Sequence, residues 1–305
     1  MRRFLILVTL ISALSLAAAC GGDDNGNGDP GDETPAPTQS TGIQPIPGNS
    51  ELVVGPNRFA FALIDEENSP IHQTAGAGVH LRFFFGEELR HEQDAGFTWA
   101  IEDVTGFWTA NVEFDLAGQW TAEADVARDG ATDTVTFTFR VLEEGLAPMI
   151  GARPPASDNL TLASEPNILR VSTDPEPDEV FYKETIAEAL DAGRPFVVAF
   201  ATPAFCETRF CGPVLDNVKA VQPEFADQVG FIHIEPFELD DEGQLVTTPR
   251  EGGGVDRVPV QAVLDWNLQS EPWIFVVGAD GTIAARFEGA ASVEELREAI
   301  GAALG

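Results

Sequence analysis

The sequence predicts two folded domains in series, an all-β sandwich followed by an α/β domain, and three observations carry that expectation. The chain has 305 residues, more than the roughly 100 to 200 that a single core usually organises. Apolar and polar residues alternate between Glu51 and Glu144, the two-residue period of strands with one buried face. Beyond about Leu146 short apolar runs alternate with segments of helical pattern, the order of elements in an α/β unit.

The elements follow in chain order. Residues 1–20 read as a targeting segment: Arg2 and Arg3, an apolar run from Phe4 to Leu16, then Ala17, Ala18 and Ala19 before Cys20. The run is too short, and too quickly followed by Gly21 and Gly22, for a membrane span. It resembles a bacterial lipoprotein signal, with Ala17 where a leucine is usual. That resemblance implies lipid on Cys20, a mature chain tethered to the membrane and an extracytoplasmic location. Ordinary secretion with a free Cys20 is the alternative, and it exports the protein too.

Residues 21–49 are Gly, Asp, Asn, Pro, Thr and Ser with almost no large apolar side chain. They read as a disordered tether with a mean reach of roughly 30 Å. Within 50–145, Phe59, Phe61 and Leu63 alternate, as do Trp108, Ala110, Val112 and Phe114, and Val135, Phe137, Phe139 and Val141. Turn signals at Ala117-Gly118 and Asp129-Gly130 separate short runs, so about seven strands in an immunoglobulin-like sandwich is the economical expectation. Pro148, Gly151, Pro154 and Pro155 then mark a boundary.

In 146–305 the pattern predicts a helix at Glu184–Asp191, a strand at Phe196–Ala201, a helix from Pro213 to about Phe225 and a strand at Val229–Glu235. After a long acidic loop come a helix near Val260–Asn267, strands at Trp273–Val277 and Thr282–Phe287, and a last helix opened by the capping box Ser292/Glu295.

The formal net charge of −33, with Lys183 and Lys219 the only lysines, disfavours nucleic acid or anionic lipid as a partner. It reads as a solvated surface. Three cysteines are an odd number for an exported chain. Lipid on Cys20 leaves the pair Cys206 and Cys211, in a compartment where disulfides form and persist.

Cys206 follows the apolar strand Phe196–Ala201 through Thr202-Pro203-Ala204-Phe205, and Cys211 precedes Gly212-Pro213. Proline fits the first turn of a helix, which places Cys211 beside a helix N-terminus whose dipole favours its thiolate. Positions five apart in a regular helix have Cα atoms roughly 8 to 9 Å apart, beyond the reach of about 7 Å for a disulfide. Either Cys206 lies in a loop ahead of the helix, or the helix unwinds locally. Arg209, between the cysteines, is read as a thiolate stabiliser or a plain solvated charge.

Four features resemble the thioredoxin-like superfamily over roughly 150–304: the stretch Ile150-Gly151-Ala152-Arg153-Pro154-Pro155, the strand into the cysteine loop, Cys211-Gly212-Pro213, and Ser270-Glu271-Pro272 before Trp273-Ile274-Phe275-Val276-Val277. The resemblance implies a thioredoxin-like α/β fold and a redox dithiol. It also implies a cis Pro272 beside the dithiol, where it and Glu271 would contact a bound substrate chain. The chain departs from the usual two-residue spacing, having Glu207, Thr208, Arg209 and Phe210 between the cysteines. That four-residue spacing resembles Q-type peroxiredoxins, but Thr202 lies one residue too far from Cys206, and Val198 and Pro272 stand where that motif has proline and arginine.

Copper-delivery relatives pair two cysteines with a histidine in a late loop. His233 lies in a strand instead, and His72, His80 and His91 show no tight ligand spacing. No metal and no cofactor are expected.

The leading expectation is a thiol-disulfide oxidoreductase acting on protein thiols or disulfides through Cys206 and Cys211. Cys206 is favoured as the attacking residue because it sits at the loop apex. A non-enzymatic binding or scaffold module with an inert disulfide, and a peroxidase, are the competing readings.

Overall fold

The computed structural model describes residues 42–72, 78–101, 103–128, 130–206 and 210–305. Cys20, with the rest of the expected signal segment, and Arg209 lie outside these residues.

Among the described residues, eight strands form the first half: β1 (Gln44–Pro47), β2 (Leu52–Val53), β3 (Gly55–Ile64), β4 (Gly78–Phe85), β5 (Glu88–Ile101), β6 (Thr105–Phe114), β7 (Gly118–Arg128) and β8 (Ala131–Leu142). The alternation seen in sequence becomes an inward face. Phe59, Phe61 and Leu63 are buried, as are Leu81 and Phe83, Trp108 to Phe114 at every second position, and Trp120, Ala122 and Ala124. Small Ala122 and Ala124 on β7 stand within an otherwise large-residue layer where Phe83, Phe114, Phe139 and Trp120 meet edge-on or tilted. At the start of β7, Gly118 has φ +137, and a Cβ there would stand 3.1 Å from the Phe85 ring, so only glycine suits the corner.

These strands are hydrogen-bonded into one sheet, in the order β1-β3-β6-β5-β4-β7-β8-β2. The 14-residue β5 makes this possible, because its first part pairs with β4 from Ala95 back to Glu88 and its second with β6 from Gly96 on. The sheet curls on itself. Leu52 and Val53 pair with β8 at one edge, and two residues later Gly55 begins β3 near the other.

The second half contains α1 (Ile168–Val171), a 3-10 turn at Glu179–Tyr182, α2 (Ile186–Asp191), β9 (Phe196–Phe200), α3 (Cys211–Phe225) and β10 (Gly230–Ile234). It continues with the hairpin β11 (Thr247–Pro249) and β12 (Val255–Arg257), then α4 (Gln261–Asp265), β13 (Trp273–Val277), β14 (Ile283–Glu288) and α5 (Val293–Leu304). The order β10-β9-β13-β14 makes a four-stranded mixed sheet, parallel between β10 and β9 and antiparallel thereafter. Both faces of β9 and β13 are covered. Val197, Ala199, Ile274 and Val276 pack against α3 and α5, while Phe196, Val198, Phe200 and Phe275 pack with Trp266 on the opposite side. Thr185 with Glu188 and Ser292 with Glu295 form capping boxes that start α2 and α5, each satisfying amides the helix cannot.

The expected fold class, an immunoglobulin-like sandwich followed by a thioredoxin-like α/β domain, is corrected by this architecture. The described residues are mainly β, 41% strand against 18% helix, and one curled eight-stranded sheet dominates them. Alternation of period two reports that strands have a buried face, but it does not distinguish two facing sheets from one sheet that curls. The helices expected at Glu184–Asp191 and Val260–Asn267 are shorter, α2 with 6 residues and α4 with 5, and α3 and α5 alone exceed two turns among the described residues. Residues 44–47, expected within the disordered tether, form β1 instead and pair with β3. Their prolines sit on an edge strand, where a missing donor costs least.

The two halves share packing. Ala100 on β5 and Phe107 on β6 belong to the same buried cluster as Cys211, Val214 and Val218 of α3. Arg58 reaches Glu295 with two nitrogens, at 2.7 and 3.2 Å, and Arg286 meets Glu51 at 2.9 Å.

Candidate functional site

The site forms where three adjacent strands end. Strand β9 runs apolar and fully buried to Phe200 and passes through Ala201 and Thr202 into the cysteine loop. On one side Ile234, the last residue of β10, pairs with Phe200, so Glu235 follows at the same end. On the other side Trp273, the first residue of β13, also pairs with Phe200, so the segment Glu271-Pro272 arrives there. The Glu271–Pro272 peptide bond is cis. Glu271 is largely covered and lies 3.7 Å from Arg257, which in turn stacks over Phe237.

Cys206 and Cys211 are joined in a disulfide, with Cα atoms 5.9 Å apart. Cys206 lies in the loop ahead of α3, so the bond closes without unwinding the helix. The two sulfurs have different surroundings. Cys211, the first residue of α3, is fully buried, whereas Cys206 is partly exposed.

The backbone N–H of Cys211 donates to Cys206 Sγ at 3.2 Å. The N-cap, Phe210, supplies no side-chain acceptor, so this free amide of the first turn points at sulfur. Sequence reasoning assigned the helix dipole to Cys211; the geometry directs the amide at Cys206, because Cys211 is itself inside the helix. Phe210 packs edge-on against Phe107 of the first sheet, ring centroids 5.1 Å apart, and so anchors the loop just before Cys211.

Beneath this loop lies a polar network that sequence reasoning left without a role. Glu235 is buried, and its Oε2 accepts from the N–H and the hydroxyl of Thr173 at 3.0 and 2.8 Å. Thr173 Oγ1 in turn accepts from Ala204 N in the cysteine loop at 3.2 Å. Burial pushes the Glu235 carboxyl up to about 7, and the hydroxyls of Thr202 and Thr173 offset part of that rise. A carboxylate closing the buried run Phe231-Ile232-His233-Ile234-Glu235 is the sequence signal that could have marked it.

His233 is committed to structure. Its Nε2 faces the Ala201 carbonyl at 2.9 Å, so that nitrogen carries the proton, while Nδ1 lies 3.0 Å from the Tyr182 hydroxyl. Burial lowers its pKa to about 4, leaving it neutral near pH 7. The other histidines pair elsewhere: His80 with Asp94, His72 with Trp99, and His91 stacked on Trp120.

No family model matches the chain, and no curated protein does. Among solved structures, a protein from Bacteroides vulgatus described as a "putative glycoside hydrolase" is similar at 12% identity and a TM-score of 0.22. The match covers 69% of this chain and 35% of that one, so the chain spans about a third of its length. A likeness this slight carries no argument about fold or activity.

Proposed function

We propose that the protein is a thiol-disulfide oxidoreductase that exchanges electrons with protein thiols or disulfides through Cys206 and Cys211. One observation carries the reading: the partly exposed sulfur of Cys206 receives the N-terminal amide of α3, and its bonded partner Cys211 is fully buried. That amide stabilises negative charge on Cys206 Sγ when the disulfide is open.

In the reducing direction, the Cys206 thiolate attacks one sulfur of a substrate disulfide. A mixed disulfide forms and one substrate thiolate leaves. The Cys211 thiolate then attacks Cys206 Sγ, closing the intramolecular bond and releasing the second substrate thiolate. Two electrons pass from the dithiol to the substrate. The reverse sequence oxidises a substrate dithiol.

We place this chemistry outside the cytoplasm on a chain held to the membrane by lipid on Cys20, the setting supported by the N-terminal residues and by a disulfide that persists. No helix among the described residues is long and apolar enough to cross a membrane.

The test is insulin reduction by the complete chain with dithiothreitol as donor. Cys206→Ser is expected to abolish catalysis, and Cys211→Ser to accumulate mixed disulfides at Cys206. Wild-type turnover by both variants would refute the reading.

A further inference from the structure

The outward row of β6 is polar except at one position. Trp108, Ala110 and Val112 point into the first sheet's own core, and the residues that alternate with them are Thr105, Phe107, Thr109, Asn111 and Glu113. Phe107 is the large apolar side chain in that row, yet it is 8% exposed. Strands β3, β6 and β5 lie side by side, and beside Phe107 they present small residues, Ala62 and Ala100, to the cluster that holds Cys211 and Val214 of α3. The ring therefore projects from its own sheet into the second half of the chain.

Its contact there is with the peptide that serves the dithiol. Phe107 meets Phe210 edge-on, with ring centroids 5.1 Å apart. The N–H that donates to Cys206 Sγ belongs to the peptide unit joining Phe210 to Cys211, and the carbonyl of that same unit accepts from Val214 N at 2.8 Å. A helix start is commonly fixed by a side-chain oxygen at the N-cap. Phe210 occupies that position and makes no such bond. The ring contact from the first sheet stands in for the missing cap: while the Phe210 side chain is held, the peptide plane is held with it, and its N–H stays aimed at sulfur.

We propose that Phe107 is a positioning residue of the dithiol site: through this ring the first sheet holds the Phe210–Cys211 peptide so that its N–H stabilises the thiolate of Cys206. The inference rests on the dithiol reading in taking Cys206 as the reactive sulfur, and it gives the eight-stranded sheet a part in that chemistry. Glu235 and the pair Glu271–Arg257, the charged groups at the same strand ends, belong to other elements, so substitution at position 107 leaves them in place.

The experiment follows alkylation of Cys206 by iodoacetamide in the reduced complete chain as a function of pH, with the modified residue located by mass spectrometry. Loss of the amide from the sulfur should lower the thiolate population roughly three- to tenfold, so Phe107→Ala is expected to raise the Cys206 pKa by about half a unit to one unit. Phe107→Leu, which keeps apolar bulk should the alanine variant not fold, is expected to shift it in the same direction. Val218→Ala removes bulk from the same buried cluster about two turns further along α3 and should leave the Cys206 pKa at its wild-type value. An unshifted pKa in the folded Phe107 variants, or an equal shift in Val218→Ala, would overturn the proposal. Alkylation uses no protein substrate, so absence of insulin reduction with the shift intact would sink the oxidoreductase reading alone.

Discussion

Removing Glu51 should loosen the chain at the place where its two halves are joined. Glu51 is 7% exposed. Its Oε1 pairs with Arg286 of β14 at 2.9 Å, and its Oε2 accepts from the N–H groups of Leu146 and Ala147 in the connecting segment. Arg286 is held further by the carbonyls of Ala147 and Pro148 and lies over the Trp273 ring. Glu51→Ala leaves that guanidinium buried without its counter-charge, a loss of about 3 to 5 kcal/mol for buried pairs of this kind.

A double variant, Glu51→Leu with Arg286→Met, removes both charges and keeps apolar bulk, so it should lie within about 1 kcal/mol of wild type or above it. Urea unfolding followed by tryptophan fluorescence measures both, with stability taken from the midpoint at constant slope. A Glu51→Ala variant within about 1 kcal/mol of wild type would refute the reasoning, because the ion pair would then be worth no more than a surface one.

Two further outcomes follow from the site. Glu235 has its folded pKa raised from 4.5 to about 7, so the folded state holds a proton that the unfolded state releases, and stability falls as pH rises between those values. The penalty is absent below about pH 4.5 and complete above about pH 7, where it amounts to about 3 kcal/mol; Glu235→Gln should therefore stabilise the protein at pH 8 and not at pH 4, and equal effects at both pH values in urea titrations would contradict the assignment. For the loop anchor, a double-mutant cycle of Phe107→Ala and Phe210→Ala should give a coupling of about 0.5 to 1.5 kcal/mol, and additive effects would show that the edge-on contact contributes nothing.

Much of the local structure was legible because it depends on neighbouring residues. The strand Phe196–Phe200 is apolar at every position, the signature of burial on both faces. Ser292 and Glu295 cap α5 as their spacing implies. Of the two arrangements the cysteine spacing allows, a loop position for Cys206 or a locally unwound helix, the structure has the first.

What the sequence withheld was relational. Which strand neighbours which is decided by long-range pairing, and β5 serving two partners in succession has no local signal. Glu235 ends the strand in the sequence pattern, but its link to the cysteine loop exists only once Thr173, 62 residues from Glu235, and Ala204, 31 residues from Thr173, are brought to it. The sulfur served by the α3 dipole was hidden for a similar reason: the expected beneficiary was Cys211, whereas the Cys211 amide donates to Cys206 Sγ, five residues away.

The electrostatics of the strand ends are internally opposed. The first-turn amide of α3 favours a Cys206 thiolate, and stabilising the reduced form makes a disulfide more oxidising. Glu235 and Glu271 stand at the ends of the flanking strands, and negative charge near a thiol opposes its ionisation. Arg257 offsets Glu271, which leaves Glu235 as the buried charge that varies near neutral pH. Protonating Glu235 therefore shifts the balance towards the thiolate. On this reasoning the reduction potential of Cys206/Cys211 should depend on pH differently in Glu235→Gln than in wild type. Parallel potential-against-pH curves for the two proteins would show that the buried acid and the dithiol do not communicate.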